Sequence, residues 1–334
     1  MICYDATKPP FRVFGLPHFE KDGRLVRLPE DVREAVPSLA ELGRHAVGAR
    51  IGFRTNAETF TVRVTLEALT VDVGMSLYAC QSVAVTVGSH TDARFLGLVR
   101  AKDYETLTVE RTFTKEAAVE DVMLWLPRNE HVVGVWVELP EGASLTPPTP
   151  YTHGKVLFYG SSITEGGCSS LPTNNYIALL SRHLDLDFYN MGFSGRARGE
   201  EALANYFKTL DMSIFVYDYD HNAPDVADLK ATHERFFSII RSAHPTMPVL
   251  MLTRPNFDET PDAAARRAVV RETFERALSR GDTNVYFIDG ERLFGEADRT
   301  LCTMDGTHPN DLGFWRMAAV IEPVLRELLS RAGA

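Results

Sequence analysis

The chain has 334 residues, of which 45% are hydrophobic and 24% are charged, proportions typical of a globular protein long enough for two domains. Its formal net charge of -10 at pH 7 would repel phosphate backbones and anionic lipid headgroups, which argues against nucleic acid or a membrane surface as a main partner. A neutral or cationic small molecule fits this charge better.

The amino-terminal residues MICYDATKPPFRVFG contain neither a basic segment nor an apolar run typical of a leader, and no later stretch is long enough to cross a bilayer. We therefore expect a cytoplasmic protein. The cysteines are widely spread and form no C-x-x-C pair, which argues against a zinc ribbon or a disulfide-dense scaffold. We interpret them as free thiols, with a bridge between Cys168 and Cys302 as the alternative.

The first 140 residues are predicted to be an all-β, jelly-roll-like sandwich. Their apolar residues recur mainly with period two, as in Phe60, Val62, Val64 and Leu66, which is typical of a half-buried strand. Similar runs follow at SLYACQSVAVTVG, TLTVERTF, VEDVMLWLP and VVGVWVELP, separated by turn residues. One short helix is expected between Glu30 and Leu42, limited by an internal proline.

Residues 141–153 are predicted to be a semi-rigid linker, because EGASLTPPTP is rich in turn formers and proline. The pattern then changes over residues 154–334, where short apolar runs (KVLFY, DFYN, SIFVYDY, VLMLT and VYFID) alternate with helical patterns. This alternation predicts a three-layer, flavodoxin-like α/β domain with about five parallel strands. Ligands of such domains bind beyond the carboxyl ends of the strands.

The first two polar segments at these strand ends are GSSIT and NMGFSGR. Ser162 lies directly after the strand KVLFY, where its hydroxyl faces the expected crevice and its amide is free to donate a hydrogen bond. The alternative for Ser162 is an ordinary turn or helix cap. In the second segment, glycine permits a close approach of backbone amides to a substrate oxygen, and the alternative is a flexible turn.

The third segment, DYDHNAP, ends the central strand and is unusually polar for that position. Asn222 is a candidate side-chain donor to a substrate oxygen. Metal ligation by Asp218, Asp220 and His221 is the alternative, but no further histidine or carboxylate follows at a spacing typical of a metal site. We interpret His221 as a structural hydrogen-bonding residue.

The fourth segment is DGTHPN, just before the last helical pattern. An aspartate three residues before a histidine can accept its Nδ1 hydrogen and leave Nε2 free as a base, which makes Asp305 and His308 a candidate pair. The alternative is a capped turn in which Asn310 or Asp311 begins the final helix.

In this order, GSSIT, NMGFSG, DHNAP and DGTHPN resemble the four sequence blocks of the SGNH hydrolases, the GDSL family of esterases and lipases, over roughly Lys155 to the end. The resemblance implies a triad of Ser162, His308 and Asp305. It also implies an oxyanion hole formed by the amides of Ser162 and Gly195 and the side chain of Asn222. Ser161, Asp220 and Ala223 depart from the usual blocks, which leaves substrate preference open.

The sandwich before this domain is similar to that of two-domain carbohydrate esterases and polyketide-tailoring acyltransferases. The resemblance implies a serine esterase for short acyl, chiefly acetyl, esters of a small molecule or carbohydrate, with no metal or organic cofactor. An acyltransferase is the first alternative, and a non-catalytic carbohydrate-binding protein is the second. Ser194 is the rival nucleophile, although Gly192 to Arg196 misses the G-x-S-x-G pattern at its last position. The oligomeric state stays open.

Overall fold

The computed structural model describes residues 1–103, 105–255 and 260–332. In the first part of the described chain, nine strands form two antiparallel sheets, ordered β1-β9-β4-β7 and β2-β3-β8-β5-β6. The strands are β1 Ile2–Asp5, β2 Arg12–Phe14, β3 Arg50–Thr55, β4 Thr59–Leu66, β5 Val83–Val87, β6 Arg94–Val99, β7 Thr108–Thr114, β8 Glu120–Trp125 and β9 Val132–Leu139. The helices of this part are α1 Phe19–Asp22, α2 Glu30–Ala35 and α3 Leu77–Gln81.

The two sheets share one apolar core, which confirms the predicted sandwich. The alternating side chains of β4 supply part of this core from one sheet, and Ile51 and Phe53 of β3 supply it from the other. The run SLYACQSVAVTVG is not one strand, because Leu77–Gln81 forms helix α3 before β5 begins. Three of the five residues of α3 are buried. In so short an apolar run, a helix and a strand bury side chains equally well, so the sequence pattern does not distinguish them.

In the later part of the described chain, five parallel strands form one sheet in the order β11-β10-β12-β13-β14, as predicted. These are β10 His153–Gly160, β11 Leu186–Gly192, β12 Ile214–Asp218, β13 Val249–Leu252 and β14 Val285–Ile288. The helices are α4 Ser162–Glu165, α5 Tyr176–Leu184, α6 Glu201–Phe207, α7 Val226–Ala243, α8 Ala263–Ser279 and α9 Asp311–Ala332.

Apolar layers cover both faces of this sheet. Along β10, Val156 and Phe158 belong to one buried cluster, whereas Leu157 and Tyr159 belong to the other. This arrangement explains why the strands are continuously hydrophobic. The order also makes β10 the switch point of the sheet, since its two neighbours β11 and β12 lie on opposite sides of it. Ligands of such sheets bind beyond the carboxyl end of the switch-point strand, which here is the position beyond Gly160.

The predicted helix at Glu30 is α2, and it ends before Pro37 as expected. Val32 of this helix joins the buried cluster of the parallel sheet rather than the sandwich core. Leu28, Val36 and Leu39 belong to that same cluster. The segment around α2 therefore covers the later unit, and our division of the chain into 1–140, 141–153 and 154–334 stays a proposal.

The proline-rich segment is held against the sandwich. The amide and hydroxyl of Thr149 each donate to Asp121 at 2.7 Å. The ring of Tyr151 stacks on His90 with 3.9 Å between centroids.

All four cysteines are free thiols, which confirms that interpretation and leaves no bridge between Cys168 and Cys302. Within residues 1–103, 105–255 and 260–332, the structure contains no helix of the length and hydrophobicity needed to span a bilayer.

Candidate active site

Ser162 lies at the carboxyl end of β10, where the strand turns into the short helix α4. Ser161 caps that helix by accepting a hydrogen bond from the amide of Ile163 at 3.1 Å. Gly160 is required at the turn, because a Cβ there would approach Asp218 O to 2.1 Å and Thr164 Oγ1 to 2.2 Å. The turn holds Ser162 at the switch point of the sheet, with its side chain largely buried.

The structure brings Ser162, His308 and Asp305 into one chain of hydrogen bonds. Ser162 Oγ lies 2.9 Å from His308 Nε2, and His308 Nδ1 lies 2.6 Å from Asp305 Oδ2. A carboxylate at Nδ1 favours the tautomer with hydrogen on Nδ1, which leaves Nε2 to accept the serine proton. This is the arrangement that acyl transfer requires.

Asp305 also shapes the loop that carries His308. Its Oδ1 accepts hydrogen bonds from the amides of His308 at 2.7 Å and Thr307 at 3.0 Å. Desolvation would raise the pKa of Asp305, but the hydrogen bonds from the amide and ring of His308 outweigh it and lower that pKa to about 2. The carboxylate is therefore ionised across the neutral range. The cap considered for the last helix is also present, because Asn310 Oδ1 accepts the amide of Gly313 at 3.1 Å.

Gly195 and Asn222 follow the two strands that flank β10. Gly160 pairs with Gly192 of β11 on one side and with Asp218 of β12 on the other, so the turns after all three strands share one edge of the sheet. Gly195 has a φ of +66° in an exposed turn, a conformation that favours glycine. Within the described residues its amide has no hydrogen-bond partner and is available to a ligand.

Family comparisons agree with this geometry. The profile of the GDSL-like Lipase/Acylhydrolase family matches residues 153–326, and a profile described as the N-terminus of Esterase_SGNH_hydro-type matches residues 2–145. The chain belongs to the GDSL-like lipase/acylhydrolase family. No curated protein matches it.

Three solved structures share the fold of this GDSL-like chain. A protein described as a GDSL-like lipase from Bacteroides ovatus ATCC 8483 is 23% identical, with 98% of each chain covered and a TM-score of 0.87. The salicylyl-acyltransferase SsfX3 from a tetracycline biosynthetic pathway is 21% identical, with 100% of this chain and 98% of that chain covered and a TM-score of 0.79. A family two carbohydrate esterase from Clostridium thermocellum, in complex with cellohexaose, is 16% identical, with 85% and 93% covered and a TM-score of 0.64.

The acidic cluster at the end of β12 forms an internal network in this GDSL-like fold. Asp220 accepts from His221 Nδ1 at 2.8 Å and from the amide of Arg254 at 3.3 Å. Thr164 donates to Asp218 at 3.2 Å, which links the nucleophile turn to β12. Burial raises the pKa of Asp218 to about 7. Asp218, Asp220 and His221 offer ligand atoms within 4.8 Å of one another, but hydrogen bonds already engage both carboxylate oxygens of Asp220.

Ser194, the rival nucleophile, lies next to Gly195 and its amide donates to Glu165 Oε2 at 2.9 Å. The structure places the imidazole of His308 against Ser162 instead. This contact favours Ser162 over Ser194 as the nucleophile.

A loop of the sandwich contributes one wall of a cleft next to the loop that carries His308. Met75 Sδ accepts the amide of Cys168 at 3.3 Å, and Ser76 Oγ donates to Ser170 O at 2.8 Å. Across an open cleft of about 670 Å³, this wall faces Met304, whose amide donates to His308 O at 2.9 Å. Both units of the chain therefore border the cleft.

Sequence analysis missed two buried charged residues near the site, Arg27 and Glu165. Arg27 is fully buried although it lies in the predicted sandwich region, and its Nη2 lies 3.3 Å from Glu165 Oε1. The spacing of Glu165, three residues after Ser162, was a possible signal. Nothing in the local sequence indicated its partner, because 138 positions separate the two residues.

Proposed function

We propose that this chain is a serine esterase that hydrolyses short acyl, chiefly acetyl, esters of a small molecule or carbohydrate through an acyl-enzyme. The observation that carries the proposal is the continuous hydrogen-bond chain from Ser162 Oγ through the ring of His308 to the carboxylate of Asp305. A serine hydroxyl is too weakly acidic to attack an ester unaided, and a positioned imidazole removes that obstacle.

In the first half of the reaction, His308 Nε2 takes the proton of Ser162 as Oγ bonds to the ester carbonyl carbon. The resulting imidazolium is stabilised by Asp305, and the oxyanion accepts hydrogen bonds from the amides of Ser162 and Gly195 and from the side chain of Asn222. His308 then returns the proton to the leaving oxygen as the bond from carbon to that oxygen breaks. The alcohol leaves, and the acyl group stays on Ser162.

In the second half, His308 takes a proton from water as the water oxygen attacks the acyl carbon. Collapse of the second tetrahedral intermediate breaks the bond to Oγ, returns the proton to Ser162 and releases the acid. The scheme draws on no metal or organic cofactor.

Resemblance to carbohydrate esterases supports a small ester as the substrate. The carbohydrate esterase from Clostridium thermocellum matches 85% of this chain at a TM-score of 0.64. A transferase is the second candidate, because the salicylyl-acyltransferase SsfX3 matches over the full length with a TM-score of 0.79. In that case an alcohol, rather than water, would take the acyl group from Ser162.

The test is hydrolysis of p-nitrophenyl esters from acetate upward by the wild type, Ser162→Ala and Ser194→Ala. We expect the acetate to be cleaved fastest, Ser162→Ala to lose at least about 10⁴-fold in kcat, and Ser194→Ala to keep most of it. Full activity in Ser162→Ala would eliminate the assignment. Added alcohol acceptors separate the two candidates, since a transferase would form the new ester in preference to the free acid.

A further inference from the structure

Arg27 is buried at an unusual place for a guanidinium. It comes from the amino-terminal segment, yet its side chain is inaccessible to solvent and lies 4.7 Å over the ring of Phe193, just beyond β11. Its Nε donates to His45 O at 3.0 Å and its Nη2 donates to Leu42 O at 2.6 Å. Desolvation lowers its pKa to about 10, with Glu165 opposing this shift, so Arg27 remains a cation at neutral pH.

The other contacts of Arg27 point toward the candidate oxyanion hole. Its Nη1 donates to the carbonyl of Gly192 and, at 3.3 Å, to that of Asn190. We call residues 192–195 the oxyanion loop, because they run from the end of β11 to Gly195. Arg27 therefore holds the first residue of this loop through the carbonyl of Gly192.

Glu165 holds the same loop from the other side. One carboxylate oxygen faces Arg27 Nη2 at 3.3 Å, and the other accepts the amide of Ser194 at 2.9 Å. Glu165 also belongs to α4, three residues after Ser162. The ion pair thus joins the nucleophile helix, the oxyanion loop and the amino-terminal segment.

Arg128 and His45 lie around this pair. Arg128 Nη1 lies 4.0 Å from Glu165 Oε2 and supplies a second cation. His45 stays neutral, because desolvation and then the charges of Arg27 and Arg128 lower its pKa to about 3. Buried ion pairs contribute little net stability compared with well-packed apolar side chains, so stability alone does not account for this one.

We propose that Arg27 and Glu165 are positioning residues that fix the amide of Gly195 relative to Ser162. The inference rests on the proposed function, because it takes the Gly195 amide as a donor to the oxyanion. A displacement of about 1 Å in a catalytic group can lower the rate about 100-fold, and losing one oxyanion donor costs a similar factor. The pair therefore acts on the transition state more than on the bound ester.

Arg50 provides a matched control. Like Arg27 it is fully buried and comes from the first part of the chain, and its guanidinium lies 3.8 Å over the ring of Phe188. It pairs with Asp187 near the start of β11, at the opposite end from Gly192. Arg50→Lys should therefore disturb packing between the units without moving the oxyanion loop.

The experiment measures kcat, KM and thermal stability for Arg27→Lys, Glu165→Gln and Arg50→Lys, with active sites counted by a phosphonate that labels Ser162. We expect the first two variants to lose about 10- to 100-fold in kcat per active site, with KM within about threefold of wild type. Arg50→Lys should keep kcat within about twofold, whatever it loses in stability. Inhibition by an aryl boronic acid, which forms an anionic tetrahedral adduct on Ser162, should weaken in parallel with kcat/KM.

Glu165→Gln tests the pair even if Arg27→Lys does not fold. The inference is overturned if the variants that fold retain kcat within about twofold, or if their loss matches that of Arg50→Lys at equal loss of stability. Failure of the proposed function looks different. In that case the wild type itself would show no ester cleavage that depends on Ser162.

Discussion

Replacing Asp305 with asparagine removes the charge of the proposed triad while keeping the loop around it. Asp305 Oδ1 accepts the amides of Thr307 and His308, and an asparagine oxygen can accept both. The loop should therefore keep its shape. The substitution removes the negative charge that lies 2.6 Å from His308 Nδ1. It also turns the side-chain NH2 group toward Nδ1, which favours the tautomer with hydrogen on Nε2, and that tautomer cannot accept the serine proton.

The exposure of this carboxylate sets the expected magnitude. Two unit charges about 4 Å apart attract by about 1 kcal/mol in water and by about 4 kcal/mol at an effective dielectric of 20. The side chains of Asp305 and His308 are 51% and 24% exposed, so an intermediate value of about 2 to 3 kcal/mol applies. Loss of the charge alone corresponds to about 30- to 150-fold in kcat. In serine proteases the same substitution costs about 10⁴-fold because it favours the wrong tautomer of the histidine, so we expect a total loss between about 150-fold and 10⁴-fold.

The assay compares kcat and KM of wild type, Asp305→Asn and Asp298→Asn on p-nitrophenyl acetate, with melting temperatures recorded in parallel. Asp298 is an exposed aspartate that precedes the same loop, and its replacement should leave kcat unchanged. A kcat within threefold of wild type for Asp305→Asn would refute the role of the charge. A loss below about 150-fold would contradict a contribution from the tautomer.

Two further predictions concern Asn222 and His233. Asn222→Ala should lower kcat about 10²- to 10³-fold with a smaller change in KM, because one donor to the oxyanion is lost. Steady-state kinetics on the same ester measure both constants. An unchanged kcat would show that Asn222 is not a donor. Burial lowers the pKa of His233 to about 3, so the unfolded chain binds more protons below about pH 6.5 and wild-type stability falls as pH falls. Between pH 7 and pH 5, the free energy of unfolding of the wild type in urea should fall by about 2 kcal/mol more than that of His233→Gln. The same pH dependence of this free energy in both proteins would contradict the prediction.

The parallel sheet was predictable because its strands are buried on both faces and therefore read as short, continuous apolar runs. All five such runs became strands, and the polar residues that follow β10, β11 and β12 meet at one edge. The Asp305–His308 contact was also accessible from sequence, because a tight loop keeps residues three apart within reach of each other. Local spacing carried this information.

The contacts of the amino-terminal segment were not predictable by the same means. Helical periodicity identified α2, but periodicity does not reveal which sheet an apolar face covers, and Val32 packs on the parallel sheet. Periodicity also does not decide which large side chains are buried, since Trp315 lies on the long helix α9 yet is 55% exposed. The Arg27–Glu165 pair joins residues far apart in the chain, and a single sequence contains no signal for such a pair.

The position of Arg27 indicates what the first part of the chain adds to the α/β unit, which contains all three residues of the proposed triad. Ser162, His308 and Asp305 all lie after residue 153, so the first part of the chain supplies no group of the proposed triad. It supplies the guanidinium groups of Arg27 and Arg128 that face Glu165 and, through Met75, one wall of the cleft next to the loop that carries His308. Without this part, Glu165 would lose both cations and the residues that bury it, and water would compete for the carboxylate oxygen that accepts the amide of Ser194. We therefore expect the first part of the chain to hold the proposed oxyanion loop in place.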